Sequence, residues 1–153
     1  MVSEPYEKRQ GPFLVSDERS RLDLPVIHGF LRTAYWSTGV PADVVRRAIE
    51  ASLCFGLFEH DRQVGFARAV TDRATYAYLA DVFVLPTHRG RGLGRWLIEC
   101  VMAHPDLQGL RRFTLVTRDA HDLYRPFGFE ALRNPDRYLE RFAPDVYARE
   151  EAS

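Results

Sequence analysis

The chain carries no excess of either charge: 21 Lys and Arg side chains face 21 Asp and Glu. That balance argues against a surface built to coat nucleic acid or anionic membrane, so any positive site has to be local. Cysteine is scarce. Cys54 and Cys100 are the only two, each in an apolar stretch, and they read as buried thiols of a reducing compartment, not as a disulfide framework. Nowhere do about 18 apolar residues run together, as a membrane helix would need. Residues 1–10 are polar and lack the apolar core and cleavage pattern of a secretory leader. The expectation is a cytoplasmic protein with no membrane partner. His28, His60 and His104 show no ligand spacing, so no metal is expected. Repeats and low-complexity tracts are missing as well.

What is present suits one domain over residues 1–153, with 1–10 and 149–153 expected as flexible ends. Hydrophobic residues make up 46% and charged residues 27%, ordinary values for a folded chain. At this length about 68–70% of the unfolded surface is buried without a disulfide or metal staple. After Gly11 and Pro12, "FLVSDE" reads as a first strand, and residues 22–36 as one or two short helices. "PADVVRRAIEAS" is a helix with an apolar stripe of Val44, Val45, Ala48 and Ile49. "LCFGLFE", "QVGFARAVTD" and "YAYLADVFVL" then follow with short polar spacers, the pattern of an antiparallel meander. From Leu93 to His104 the apolar positions keep a helical rhythm until Pro105. "RRFTLVT" returns to strand, "DAHDLYRPF" makes a short helix with Asp119 as N-cap, and "GFEAL" restarts an extended segment. Strand, loop, helix and strand over 76–117 form a βαβ unit, whose crossover helix makes its two strands parallel.

The loop inside that unit, "LPTHRGRGLGRWL", places glycines at 90, 92 and 94 where the helix begins. Backbone N–H groups without Cβ shielding there, together with the helix dipole, favour an anion. His88, Arg89, Arg91 and Arg95 add donors, and no acid opposes them between 88 and 98. A solvated surface turn would show the same composition, so the loop alone is a weak signal. Other phosphate motifs fit poorly: no Gly-Lys-Ser/Thr closes a P-loop, and the spacing is G-x-G-x-G where a dinucleotide fold needs G-x-G-x-x-G.

"DVFVLPTHRGRGLGRWL" resembles the coenzyme A signature of the GNAT N-acetyltransferases: a strand, a proline, then Arg/Gln-x-x-Gly-x-Gly/Ala opening a helix, here Arg89, Gly92 and Gly94. "AHDLYRPFGFEAL" is similar to the family's second signature, and the resemblance covers residues 43–132. It implies the GNAT acyl-CoA N-acyltransferase fold, an α/β architecture with a mostly antiparallel sheet, one parallel splayed strand pair and flanking helices. It also implies acetyl-CoA as cofactor. The backbone of Val82, Phe83 and Val84 would pair with the pantetheine arm. The amides of Arg89, Gly90, Arg91, Gly92, Leu93, Gly94 and Arg95 would wrap the pyrophosphate. Many members carry Asn where this chain has Thr117. Dimers are common in the family, and a homodimer is compatible with this sequence although no feature forces one.

Direct attack of a small-molecule or peptide primary amine on the thioester, in a ternary complex, needs a neutral amine, an oxyanion donor and a proton for the departing thiolate. Tyr124 is the candidate acid, since a phenol with a reference pKa of about 10 stays protonated at neutral pH. In the resembled family the matching tyrosine plays that part. Asp81, a lone acid in an apolar strand, is the candidate base; alternation places it alongside Leu79 and Phe83, opposite Val82. A structural hydrogen bond within the sheet would explain Asp81 equally well, and His121 is the runner-up base. The oxyanion would meet a backbone N–H between Val82 and Val84. Arg32, Tyr35, Trp36, Phe55 and Tyr78 are the candidate acceptor-binding residues, with core packing as the rival explanation. A non-catalytic acyl-CoA sensor on the same fold is the alternative function.

Overall fold

The computed structural model describes residues 4–148, so the end expected to be flexible at 149–153 lies outside the described residues. Six strands form one sheet in chain order: β1 (Glu7–Gln10), β2 (Phe13–Ser16), β3 (Leu53–Glu59), β4 (Arg62–Thr71), β5 (Tyr76–Val84) and β6 (Arg112–Leu115). Neighbours from β1 to β5 are antiparallel and the β5–β6 pair is parallel, as the crossover predicts. The spacers make the tight reversals. His60 takes a positive φ of 54° between β3 and β4. Between β4 and β5 the Asp72 carboxylate accepts the N–H groups of Ala74, Thr75 and Tyr76 and the Thr75 hydroxyl. Those bonds, the Thr75 hydroxyl first, hold the Asp72 carboxyl well below the usual carboxylate range.

Four helices flank the sheet: α1 (Leu24–Leu31), α2 (Ala42–Glu50), α3 (Leu93–Met102) and the single turn α4 (His121–Tyr124). Asp23 caps α1, accepting the Val26 N–H at 3.2 Å. Residues 22–36 therefore give one helix followed by turns. Alternation on β3 divides the core. Leu53, Phe55 and Leu57 point to the α3 side, where Leu93, Leu97, Ile98 and Val101 meet them. Cys54 points the other way, into a second cluster with Ile27 and Leu31 of α1, Val45 and Ile49 of α2, Phe66 and Phe83. Both cysteines are buried and free.

Three local expectations are corrected. Residues 7–10, read as part of a frayed end, are an edge strand. The register Glu7↔Ser16 to Gln10↔Phe13 orders them, and Tyr6 anchors them with its hydroxyl on the Cys100 carbonyl at 2.7 Å. Asp119 is not the N-cap of α4. Ala120 takes that position without a side-chain bond, and Thr117 Oγ1 accepts the Ala120 N–H at 2.9 Å. Residues 128–132 form no strand, so β6 is an edge of the sheet among the described residues.

Candidate active site

The parallel pair stops short. Its last register is Leu79↔Leu115, yet β5 continues to Val84, while the chain beyond β6 leaves the sheet and exposes 82% of Val116. On the β6 side, the main-chain groups of β5 past Leu79 thus face a gap instead of a ladder. A β-bulge bends β5 at the same point: Ala67 of β4 stands against two residues, Asp81 and Val82, and Asp81 adopts a φ of 56°. Asp81 is one of only three described non-glycine residues with positive φ, the others being His60 and Arg73 in turns. The extra residue also corrects the alternation expected from the sequence. Leu79 belongs to the α3-side core, whereas Phe83 belongs to the α1/α2-side core, so Asp81 does not share a face with both.

A cavity of about 920 Å³ runs through the gap, bounded by β5 from Leu79 to Val84, by Arg89 and Gly94, and by the segment from Leu115 through Tyr124. At one end lies the start of α3. Gly90 and Gly92 both adopt left-handed φ values, 79° and 77°, and Gly92 is the helix N-cap without a side-chain bond. A Cβ built on either would touch nothing within 4 Å, so the space over these amides is open. Arg89 reaches back, donating from Nε to the Val84 carbonyl at 3.0 Å. His88 has both ring nitrogens engaged elsewhere. It is buried and held by Glu59 Oε1 at 3.0 Å and by the Thr87 hydroxyl at 2.8 Å. The bond from His88 keeps the Glu59 carboxyl below its ordinary range.

Tyr124 faces this cavity from α4. It is only 8% exposed, stands edge-on to Phe129 at 6.0 Å, and its hydroxyl bonds to no side chain or main-chain group among the described residues. Burial, with a smaller contribution from Tyr35, pushes its phenol up to about 12. The Asp81 carboxylate is engaged on both oxygens: Arg68 Nε donates to one at 2.8 Å and Trp36 Nε1 to the other at 3.0 Å. Arg68 also donates to the Ser52 hydroxyl at 3.1 Å. The result is a three-element clamp on the bulge, linking the α1–α2 connection, β4 and β5.

Of the residues expected to bind an acceptor, Tyr35, Trp36 and Tyr78 line the cavity and Arg32 and Phe55 do not. Arg32 is an exposed residue just past α1. Phe55 has no exposed surface and packs edge-on against Tyr6 and His104, because the parity of β3 sends it beneath α3. Phe55→Ala is accordingly expected to destabilise the fold by about 3–5 kcal/mol, read as a lower denaturation midpoint. Sequence reasoning missed Arg68, Phe30 and Arg118, which also line the cavity. Arg68 carried a usable signal, a lone cation inside the apolar run of β4; Phe30 and Arg118 carried none.

Among the described residues no cluster of His, Cys, Asp and Glu could hold a metal ion, and no helix is long and apolar enough to cross a membrane. A mixed sheet opened at a parallel pair, a β-bulge at the opening and a glycine-bared helix start beside it define the acyl-CoA N-acyltransferase class of fold. The family model of the GNAT acetyltransferases matches residues 23–129. An inferred GNAT acetyltransferase from Xanthomonas campestris pv. campestris, xcc2953, is 52% identical in sequence, and its crystal structure superposes with a TM-score of 0.87 over 89% of this chain and 96% of that one. FG08082 of Gibberella zeae, an inferred acetyltransferase, is 33% identical over 146 residues, 80% of this chain and 81% of the relative. An inferred acetyltransferase from Clostridium acetobutylicum, solved with acetyl-CoA, shares the fold at 13% identity, with a TM-score of 0.61 over 85% of this chain and 94% of that one. The chain belongs to the GNAT acetyltransferase family.

Proposed function

We propose that the protein transfers an acetyl group from acetyl-CoA to a primary amine of a small molecule or peptide, by direct attack within a ternary complex. One observation carries the reading: the unpaired edge of β5 leads straight to an open, glycine-bared helix start, with the Tyr124 hydroxyl, unpartnered among the described residues, across the gap. The chain's donors fit such a cofactor. Main-chain groups of Val82, Phe83 and Val84 suit the amides of a pantetheine arm, and the amides from Arg89 through Gly90, Arg91, Gly92, Leu93 and Gly94 to Arg95 suit a diphosphate. The bound thioester supplies the activated acyl group. A main-chain N–H of the bulged segment would stabilise charge on the acyl oxygen, and the Tyr124 hydroxyl would protonate the departing sulfur.

Asp81 is the proposed proton acceptor for the amine. A carboxylate has about four lone-pair sites, and the clamp occupies one on each oxygen, so acceptor capacity remains. Asp81→Asn keeps the shape and removes the basicity. It is expected to lower kcat/KM at neutral pH by about 10–100-fold, with the loss shrinking as pH approaches about 10 and the amine deprotonates unaided. A loss independent of pH would leave Asp81 solely as the anchor of the bulge. The reading as a whole is tested by free-thiol release from acetyl-CoA across an amine panel. Saturable cofactor binding with no thiol released from any amine would assign the acyl-CoA sensor instead.

A further inference from the structure

Resting on that reading, we infer that the acceptor is a monoamine with a flat aromatic body, an arylalkylamine, and that the cleft excludes polycations. The half of the cavity on the α1/α2 face carries the rings of Phe30, Tyr35, Trp36, Tyr78 and Phe83 among aliphatic side chains of α1 and α2. These rings brace one another: Phe30 stacks on Phe83 at 4.0 Å, and Trp36 meets Tyr35 edge-on at 5.1 Å. Trp36 is further fixed through its indole N–H by Asp81. Tyr35 remains 50% exposed and Trp36 43% exposed, so the wall offers aromatic surface to the cleft and does not spend it on the core. Rigid ring faces of this kind favour a flat apolar partner and tolerate one ammonium.

The charges decide the second half of the inference. A polycation needs several free carboxylates, and among the described residues the cavity is lined by two acids, Asp81 and Asp119. Asp81 is already held by Arg68 and Trp36. Asp119 is 70% exposed at the rim and lies 3.7 Å from Arg118. Arg118 itself crosses the mouth of the cleft, its guanidinium 3.9 Å from the centre of the Tyr35 ring. A single ammonium can approach Asp81. A second one on the same molecule finds no acid of its own among the described residues and an arginine in its way.

The test uses three amines, 2-phenylethylamine, n-butylamine and spermidine, in two measurements. Calorimetry follows each amine binding to the protein saturated with coenzyme A, and thiol release follows each with acetyl-CoA. 2-Phenylethylamine is expected to bind and to react at least about tenfold better than either of the others. Equal performance by butylamine overturns aromatic recognition, and equal performance by spermidine overturns charge exclusion. The expected binding order without thiol release supports this inference and overturns acetyl transfer. Thiol release led by spermidine does the reverse. Tyr35→Ala should erase the advantage over butylamine, and Arg118→Glu should raise spermidine by about tenfold relative to 2-phenylethylamine.

Discussion

Gly92→Val is expected to raise the Kd for acetyl-CoA by about 100-fold or more, because charge-assisted hydrogen bonds are worth about 1.5–3 kcal/mol each and at least two are at stake. The residue sits at φ 77° as the N-cap of α3, with nothing within 4 Å of the position a Cβ would take. A branched side chain there would stand in the open space over the helix amides, where the phosphates are expected. It also pulls the backbone away from a left-handed conformation that β-branched residues avoid, at a cost of about 1–3 kcal/mol. For a chain of this length that strain lowers Tm by only about 2–4 °C per kcal/mol, so the variant stays folded and binding can be measured by calorimetry. Gly94→Ala is the matched control. Its Cβ would make ordinary contact with Val84 Cγ2 at 3.9 Å, and the residue lies inside helix α3. Alanine in a helix is about 0.5–1 kcal/mol better than glycine, so this variant should bind normally and melt slightly higher. Equal affinities in wild type and Gly92→Val would place the phosphates elsewhere and remove the loop from the site.

The contrast between those two glycines was legible before any coordinates, since the resemblance admits alanine at the last position of the motif. The βαβ unit was legible too, because its periodicities change from 2 to 3.6 and back within forty residues, and a crossover of that length fixes parallel strands. The antiparallel meander followed from short spacers and aromatic runs. Physical limits of one-dimensional reading account for what was missed. Alternation on β3 shows that Phe55 and Cys54 face opposite ways, but not which face carries α3; only packing assigns Phe55 to the core. In "YAYLADVFVL" nothing in the alternation marks an extra residue, so the bulge at Asp81 was invisible. An aspartate is nevertheless among the residues that tolerate a positive φ, which was the one clue. The clamp of Arg68, Trp36 and Asp81 joins three elements distant in sequence, and no local pattern encodes it. The strand at residues 7–10 reads as polar because it is an edge with little to bury. The expected Asp119 cap failed because the helix starts one residue later, with Ala120 at the N-cap and the Asp119 carboxylate exposed beside Arg118.

Tyr124→Phe should lower kcat by about 100-fold, the usual worth of a positioned general acid, while the Kd for acetyl-CoA changes by no more than about twofold. The split follows from the geometry. Removing one oxygen leaves the ring and its edge contact with Phe129 in place, and deletes only a hydroxyl that no described group holds. Burial accounts for most of the upward displacement of this phenol, to about 12, and Tyr35 adds to it. A raised value means that the fold favours the proton-bearing form. The donor stays loaded through the whole range in which an alkylamine, with a reference pKa near about 10.4, loses its proton. Wild-type kcat/KM should therefore show no descending limb from Tyr124 across that range. The same sign governs stability: any contribution from Tyr124 is present below its ordinary value of 10.0 and is lost as pH rises toward about 12. The phenylalanine variant should run parallel to wild type and lower, since it lacks the donor at every pH. Two curves that coincide would leave the departing sulfur without a protein acid, and would reduce Tyr124 to a packing residue of α4.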